Sequence, residues 1–294
     1  MMKQIKLGLL EFGELYKNQY DYPGLLKYVQ CADELGFQRI WFAEHYHDNV
    51  AFSNPEALLP MLASSTKKIS VGTGGVLLKY HSAYRIATFY KLLATLFPGR
   101  IDLGLCKTLL PAKLGAQLLG AHYEEEPSFP EKVLELLNLL DALNLEAPSG
   151  LTIPPPIAET SKPSLWMLNS SFEDIHQYPP GKINYCRSLF HTTTTLRTTE
   201  KELIKTPDKA CKKAIAIAVY CSENKSKNNA FLKSLQEKSQ LQPEKIMSCT
   251  PKELHERILE LTSGTAIKEI VILNLGKNYR EKTKVLHLLK KQFS

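Results

Sequence analysis

No Cys-x-x-Cys pair occurs among the six cysteines, Cys31, Cys106, Cys186, Cys211, Cys221 and Cys249. Their scatter offers neither a zinc site, nor a redox dithiol, nor a disulfide framework, so a reducing cytoplasm is the expected setting. No apolar run approaches the roughly 18 residues needed to cross a bilayer. The opening Met1-Met2-Lys3-Gln4-Ile5-Lys6-Leu7-Gly8 reads as the start of a strand, too short and too charged for a signal peptide. A soluble protein with no membrane partner follows as the expectation. Arginine is scarce, with seven among the 37 Lys and Arg residues, so the net charge of +7 rests on dispersed lysines. Runs such as Lys67-Lys68 and Lys290-Lys291 are brief, and no basic stripe is interleaved with aromatics, so nucleic acid is not an expected partner. Also missing is the spaced Gly-x-Gly-x-x-Gly of a dinucleotide fold, which Gly72-Thr73-Gly74-Gly75 does not match.

What the chain has is hydrophobic content, 44% over 294 residues, which suffices for a large core. At about 150 residues per domain the length suggests two domains, but barrels of alternating strands and helices commonly run to this size as one. A single domain over residues 1–294 is the expectation. The central stretch is Ile40-Trp41-Phe42-Ala43-Glu44-His45-Tyr46-His47, an apolar run ending in a carboxylate and two imidazoles. Four apolar residues in succession suit a parallel strand covered on both faces, and such strands carry functional residues at their carboxyl ends. Glu44, His45 and His47 therefore fall on a strand end or the loop beyond. They lack a further cluster at ligand spacing, so no metal site is expected.

The remaining chain alternates in the same manner. Strands are expected at Ile5–Leu10, Arg39–Glu44, Ile69–Thr73, Ile101–Leu105, Ser164–Leu168, Ile183–Cys186, Ala214–Val219 and Glu269–Leu273. Between them, Asp21-Tyr22-Pro23 offers a cap and a proline for a helix that stops at Gly36, and Asn54-Pro55 opens the next. Further helices are expected from Ser82 to Phe97, from Pro130 to Asn144, after the capping box Thr250-Pro251-Lys252-Glu253, and from Tyr279 to Gln292. Prolines 148, 154, 155 and 156 mark a loop. Eight strands with helical crossovers are the count of an α/β (β/α)₈ TIM barrel, with a doubly wound open sheet as the runner-up.

Four ordered motifs carry a family resemblance: Gly36-Phe37 leading to Trp41-Phe42-Ala43-Glu44-His45; Lys68-Ile69-Ser70-Val71-Gly72-Thr73; His81 with Arg85-Ile86-Ala87; and Pro98-Gly99-Arg100-Ile101-Asp102-Leu103-Gly104-Leu105. Together they resemble the bacterial luciferase-like, flavin-dependent monooxygenases, closely over the first 120 residues or so and more weakly through Leu165-Trp166-Met167-Leu168-Asn169-Ser170-Ser171 and the Thr250-Pro251 helix. The resemblance implies a barrel that binds reduced FMN without covalent attachment, reacts it with oxygen at C4a to a peroxyflavin, acts on a small organic molecule, depends on a separate flavin reductase, and forms a homodimer through segments Pro55 to Ser65 and Ser82 to Phe97. It also implies roles. Gly74 and Gly75, without Cβ atoms, let a flat ring approach the backbone, and relatives sometimes join such residues by a cis peptide. Lys107, Thr108 and Leu109 follow strand four where the family faces the flavin phosphate, and Asn169, Ser170 and Ser171 resemble a Gly-Ser-Ser phosphate turn, with Asn169 in the glycine's place. Glu44 joins the cofactor contacts, His45 is the proton-handling residue, and Cys106 beside Lys107 is a second catalytic candidate. His191 falls in a barrel-top stretch over the substrate. Two other readings stay open: a reductase or dehydrogenase using FMN or a deazaflavin without oxygen, and a flavin-binding protein without catalysis.

Overall fold

The computed structural model describes residues 5–13, 15, 19–46, 49–51, 53–120, 127–141, 145–146, 152–153, 162–169, 171–190, 201, 204, 211–236 and 243–293. Eight parallel strands close into a barrel: β1 (Lys6–Glu11), β2 (Arg39–Phe42), β3 (Ser70–Leu77), β4 (Ile101–Cys106), β5 (Ser164–Asn169), β6 (Asn184–Ser188), β7 (Lys213–Cys221) and β8 (Glu269–Asn274). Each pairs with its successor in the chain, and β8 pairs with β1 from Lys6 opposite Glu269 to Leu10 opposite Leu273. That last ladder excludes the open sheet, and all eight strands coincide with the expected segments to within a few residues. Three short strands were not foreseen: Leu145–Glu146 and Thr152–Ile153, which form an antiparallel pair of their own within the stretch expected as a loop, and Ile246–Cys249, which lies along the carboxyl half of β7, beyond the point where β6 has ended.

Alternation along each strand separates two apolar groups. Ile40, Phe42, Val71, Leu103 and Met167 face the helices, whereas Leu10, Trp41, Ala43, Trp166, Cys186 and Ala216 fill the barrel interior. The expected helices form, and two that were not foreseen, Ala112–Leu119 and Lys225–Gln236, join them. In α1 (Tyr22–Glu34) the Asp21 carboxylate accepts the Gly24 N–H at 2.8 Å, and the chain turns out at Gly36 with φ +78°. The segment after Asn54 is a 3₁₀ turn (Pro55–Leu58) running into α2 (Leu59–Ser64), and α3 (Ala83–Leu96) is capped by Ser82. Then come α4 (Ala112–Leu119), α5 (Phe129–Asp141), α6 (Lys225–Gln236), α7 (Pro251–Thr262) with both halves of the Thr250/Glu253 capping box, and α8 (Tyr279–Phe293). Among the described residues no helix is long and apolar enough to cross a membrane.

The foot of the barrel is plugged by charge. Arg39 is 3% exposed and bonds both Asp102 and Glu269, while the Trp41 indole N–H donates to Asp102 at 2.9 Å. The guanidinium stacks 4.5 Å from the Trp166 ring centroid and 5.4 Å from that of Trp41. The arginine's charge is met by two carboxylates and covered by the tryptophans, so the buried cation is paired. With the foot closed, the accessible end is the one at the carboxyl ends of the strands.

Candidate active site

Alternation along β2 decides the direction of its functional pair. Trp41 and Ala43 belong to the interior group and Phe42 to the helix-facing one, so the next helix-facing side chain is Glu44 and the next interior one is His45. The His45 ring lies 4.5 Å from the Phe12 ring in an edge-to-face arrangement, and Phe12 is 6.0 Å from Phe190. An imidazole in an aromatic wall thus stands at the rim of β1, β2 and β6.

Glu44, expected among the cofactor contacts, points instead into the helical layer with a fully buried carboxylate. One oxygen accepts the Leu77 backbone N–H at 2.8 Å; the other accepts the Tyr46 hydroxyl at 2.7 Å and lies 2.8 Å from His81 Nε2. Burial opposes a charge on His81, but the Glu44 bond and charge, with the charge of Glu56, outweigh it against the repulsion of Lys132 and raise the His81 pKa. Burial also raises the Glu56 carboxyl, helped by the Glu44 charge and opposed by its own backbone bond and His81. Glu56 Oε1 is buried with no hydrogen-bond partner among the described residues. Glu44 therefore acts on the exit of β3 from the helical side and not on the barrel interior.

Just upstream of that exit, within β3, lies the glycine pair. The Gly74-Gly75 peptide is cis. A Cβ on Gly74 would stand 2.7 Å from Trp41 Cβ, and one on Gly75 would stand 2.9 Å from the Gly104 carbonyl oxygen, so neither position accepts a side chain. On the neighbouring strand Cys106 ends β4 with its Sγ 3.1 Å from Thr108 Oγ1, and Lys107, Thr108 and Leu109 are exposed. Leu110 returns inward and donates its N–H to the Tyr80 hydroxyl at 2.7 Å. On the strand beside β4, Asn169 is buried at the end of β5, and Ser171 Oγ accepts the Glu173 N–H at 3.4 Å, starting a 3₁₀ turn (Glu173–Gln177). Ser170, His47 and His191 lie outside the described residues.

The structure thus brings His45, Gly74, Gly75, Cys106 and the Lys107–Leu109 loop to one end of the barrel, and removes Glu44 from the inner surface. Residues 9–142 match the model of a family described as luciferase-like monooxygenase. Over this span the chain is similar to the luciferase-like monooxygenase family. Among curated relatives, N-acetyl-S-alkylcysteine monooxygenase of Bacillus subtilis (strain 168) is 37% identical over 150 residues, 50% of this chain and 45% of that protein. The chain spans about half the length of the curated relatives it matches. Solved structures match along nearly the whole chain. The apo form of MsnO8 has a TM-score of 0.81 at 21% identity, covering 99% of this chain and 98% of that one. The oxygenating constituent of a Pseudomonas putida 3,6-diketocamphane monooxygenase, in complex with FMN, has a TM-score of 0.72 at 14% identity over 97% and 96%. An F420-dependent secondary alcohol dehydrogenase has a TM-score of 0.66 at 15% identity over 98% of each chain. At such identities these structures establish the barrel of the luciferase-like fold and nothing finer.

The sequence left some of the machinery unmarked. Phe12 extends the inward period of β1 past Leu10, and continuing the alternation by one step would have found it. Glu56, Tyr80 and Lys132 carry no local signal.

Proposed function

We propose that this protein is a flavin-dependent monooxygenase that uses reduced FMN and O₂ on a small organic substrate, with reduced FMN delivered by a separate flavin reductase. The observation that carries the proposal is the side-chain-free Gly74-Gly75 backbone at the same barrel end as His45. Bare main chain suits the close approach of a flat ring, and the exposed Lys107 with the Thr108 hydroxyl suits an anionic tail on the adjacent strand. A planar ring bearing a phosphate is the make-up of FMN, so the residues present fit the group. Bound reduced FMN supplies the two electrons with which one atom of O₂ enters the substrate and the other leaves as water.

The protein's own contributions are separable. Gly74 and Gly75 receive the ring, and Lys107 holds the phosphate with Thr108 and, from beyond the adjacent strand β5, Ser171. His45 gives or takes the proton at the reacting end, since an imidazole titrates near working pH. Phe12 and Phe190 exclude water around it. A second reading, hydride transfer without oxygen, draws support from the F420-dependent dehydrogenase that shares the fold.

Mixing the anaerobic protein and reduced FMN with oxygenated buffer separates the two. A transient flavin spectrum distinct from both the reduced and oxidised forms, converted faster on adding substrate, is the expected result. Featureless single-step reoxidation, together with anaerobic reduction or oxidation of a substrate, would overturn it.

A further inference from the structure

The chain that leaves the glycine pair, Leu77 to His81, is held from several sides before it enters α3. From β2, Glu44 takes the Leu77 N–H and the His81 imidazole, each at 2.8 Å. From α5, the buried Lys132 donates its ammonium to the Lys79 carbonyl at 2.8 Å and the His81 carbonyl at 3.0 Å. Using a buried ammonium on two main-chain oxygens is costly unless both bonds are kept, so it resists displacement of this segment. Between these anchors Tyr80, 5% exposed, turns its hydroxyl to accept the Leu110 N–H at 2.7 Å. Leu110 closes the stretch that leaves β4 through Lys107, Thr108 and Leu109, the last of which is 67% exposed. A clamped segment on one strand exit thus carries a hydrogen bond to the loop of the next.

We propose that Tyr80 is a positioning residue: its hydroxyl fixes the Lys107 loop relative to the Gly74-Gly75 backbone, and so sets how well the protein distinguishes a flavin carrying a phosphate from one lacking it. The inference rests on the reading of Lys107 as the phosphate contact. The ring itself belongs to the packing, whereas the hydroxyl serves the loop, which makes Tyr80→Phe the informative change.

Two measurements test it. In hydrogen exchange on the protein without flavin, the amides of residues 107 to 110 should exchange faster in Tyr80→Phe than in the wild type, while the α3 amides keep their protection. In anaerobic titrations, the variant should bind reduced FMN roughly three- to tenfold more weakly, the span of one neutral hydrogen bond, with reduced riboflavin affinity unchanged. Equal weakening of both flavins, or unchanged loop exchange with unchanged FMN affinity, would overturn the role of Tyr80 while leaving the flavin reading intact. A wild type that binds riboflavin as tightly as FMN would overturn the phosphate reading of Lys107, and this inference with it.

Discussion

Replacing Glu44 is the most demanding test of the site's internal architecture. Its carboxylate accepts from Leu77, Tyr46 and His81 at 2.8, 2.7 and 2.8 Å. In Glu44→Ala the half-exposed Tyr46 hydroxyl can find water, but the buried Leu77 N–H is left without an acceptor, at about 1–3 kcal/mol, and His81 loses a charged bond worth about 1.5–3 kcal/mol. Destabilisation of about 3–5 kcal/mol follows, a large part of the 5–15 kcal/mol typical of a domain. Glu44→Gln keeps one oxygen for Leu77 and turns an amide towards Tyr46 and His81, which neutral His81 can accept and protonated His81 cannot. Its cost is therefore the charged bond alone, about 1.5–3 kcal/mol, and should be visible only where His81 is protonated. The sign of the pH dependence follows from the raised pKa of His81. Its stabilisation is fully present below the ordinary value of 6.5 and is lost as pH rises through the higher folded value. Glu56, also raised, acts in the same direction from 4.5 upward. Urea unfolding, followed through the buried Trp41 and Trp166 at about pH 6 and about pH 9, should show a wild type that weakens with pH and a Glu44→Gln variant with a flatter profile above 6.5. A variant as costly at the higher pH as at the lower, with the wild-type slope retained, would refute the ion pair as the organising contact.

Three further outcomes are expected. His45→Ala should slow turnover by about a hundredfold or more while leaving unfolding and reduced FMN affinity nearly unchanged, as steady-state and binding measurements on the same preparation would show. Gly75→Ala forces a Cβ to within 2.9 Å of the Gly104 main chain, so it should destabilise by about 1–3 kcal/mol in denaturant titration and abolish flavin binding. The exposed Met61, Leu92 and Leu96 lie on the segments through which a homodimer is expected. Light scattering at micromolar concentration should report a dimer, and Leu92→Asp should report a monomer with an unchanged unfolding midpoint.

Strands were the legible part of this molecule because the barrel buries both faces of each one, so Arg39 to Phe42 or Glu269 to Asn274 announce themselves as uninterrupted apolar or paired residues. Boundaries were less so. The third strand was expected to end at Thr73, yet β3 continues through the glycines to Leu77, because strand pairing with Leu105 and Cys106 resumes after an irregularity. Ile246–Cys249 went unseen since only one of its four residues is buried. The direction of Glu44 and His45 followed from alternation once one of them was placed inside, but the partners of Glu44 did not. His81 lies 37 residues away, and Lys132 reaches the His81 carbonyl across 51. A lysine in an amphipathic helix looks the same in sequence whether it meets water or two carbonyl oxygens.

The arginine plug at the foot of the barrel bears on traffic as well as on packing. A tube stoppered by Arg39, Asp102, Glu269 and two indoles is a cup, with its rim at Phe12, His45 and the glycine pair. On the proposed flavin reading, a ring against Gly74-Gly75 would cover part of that rim and leave the substrate and product the remaining opening. That reading makes the order of arrival a consequence of shape: the flavin enters before the smaller substrate and leaves after the product.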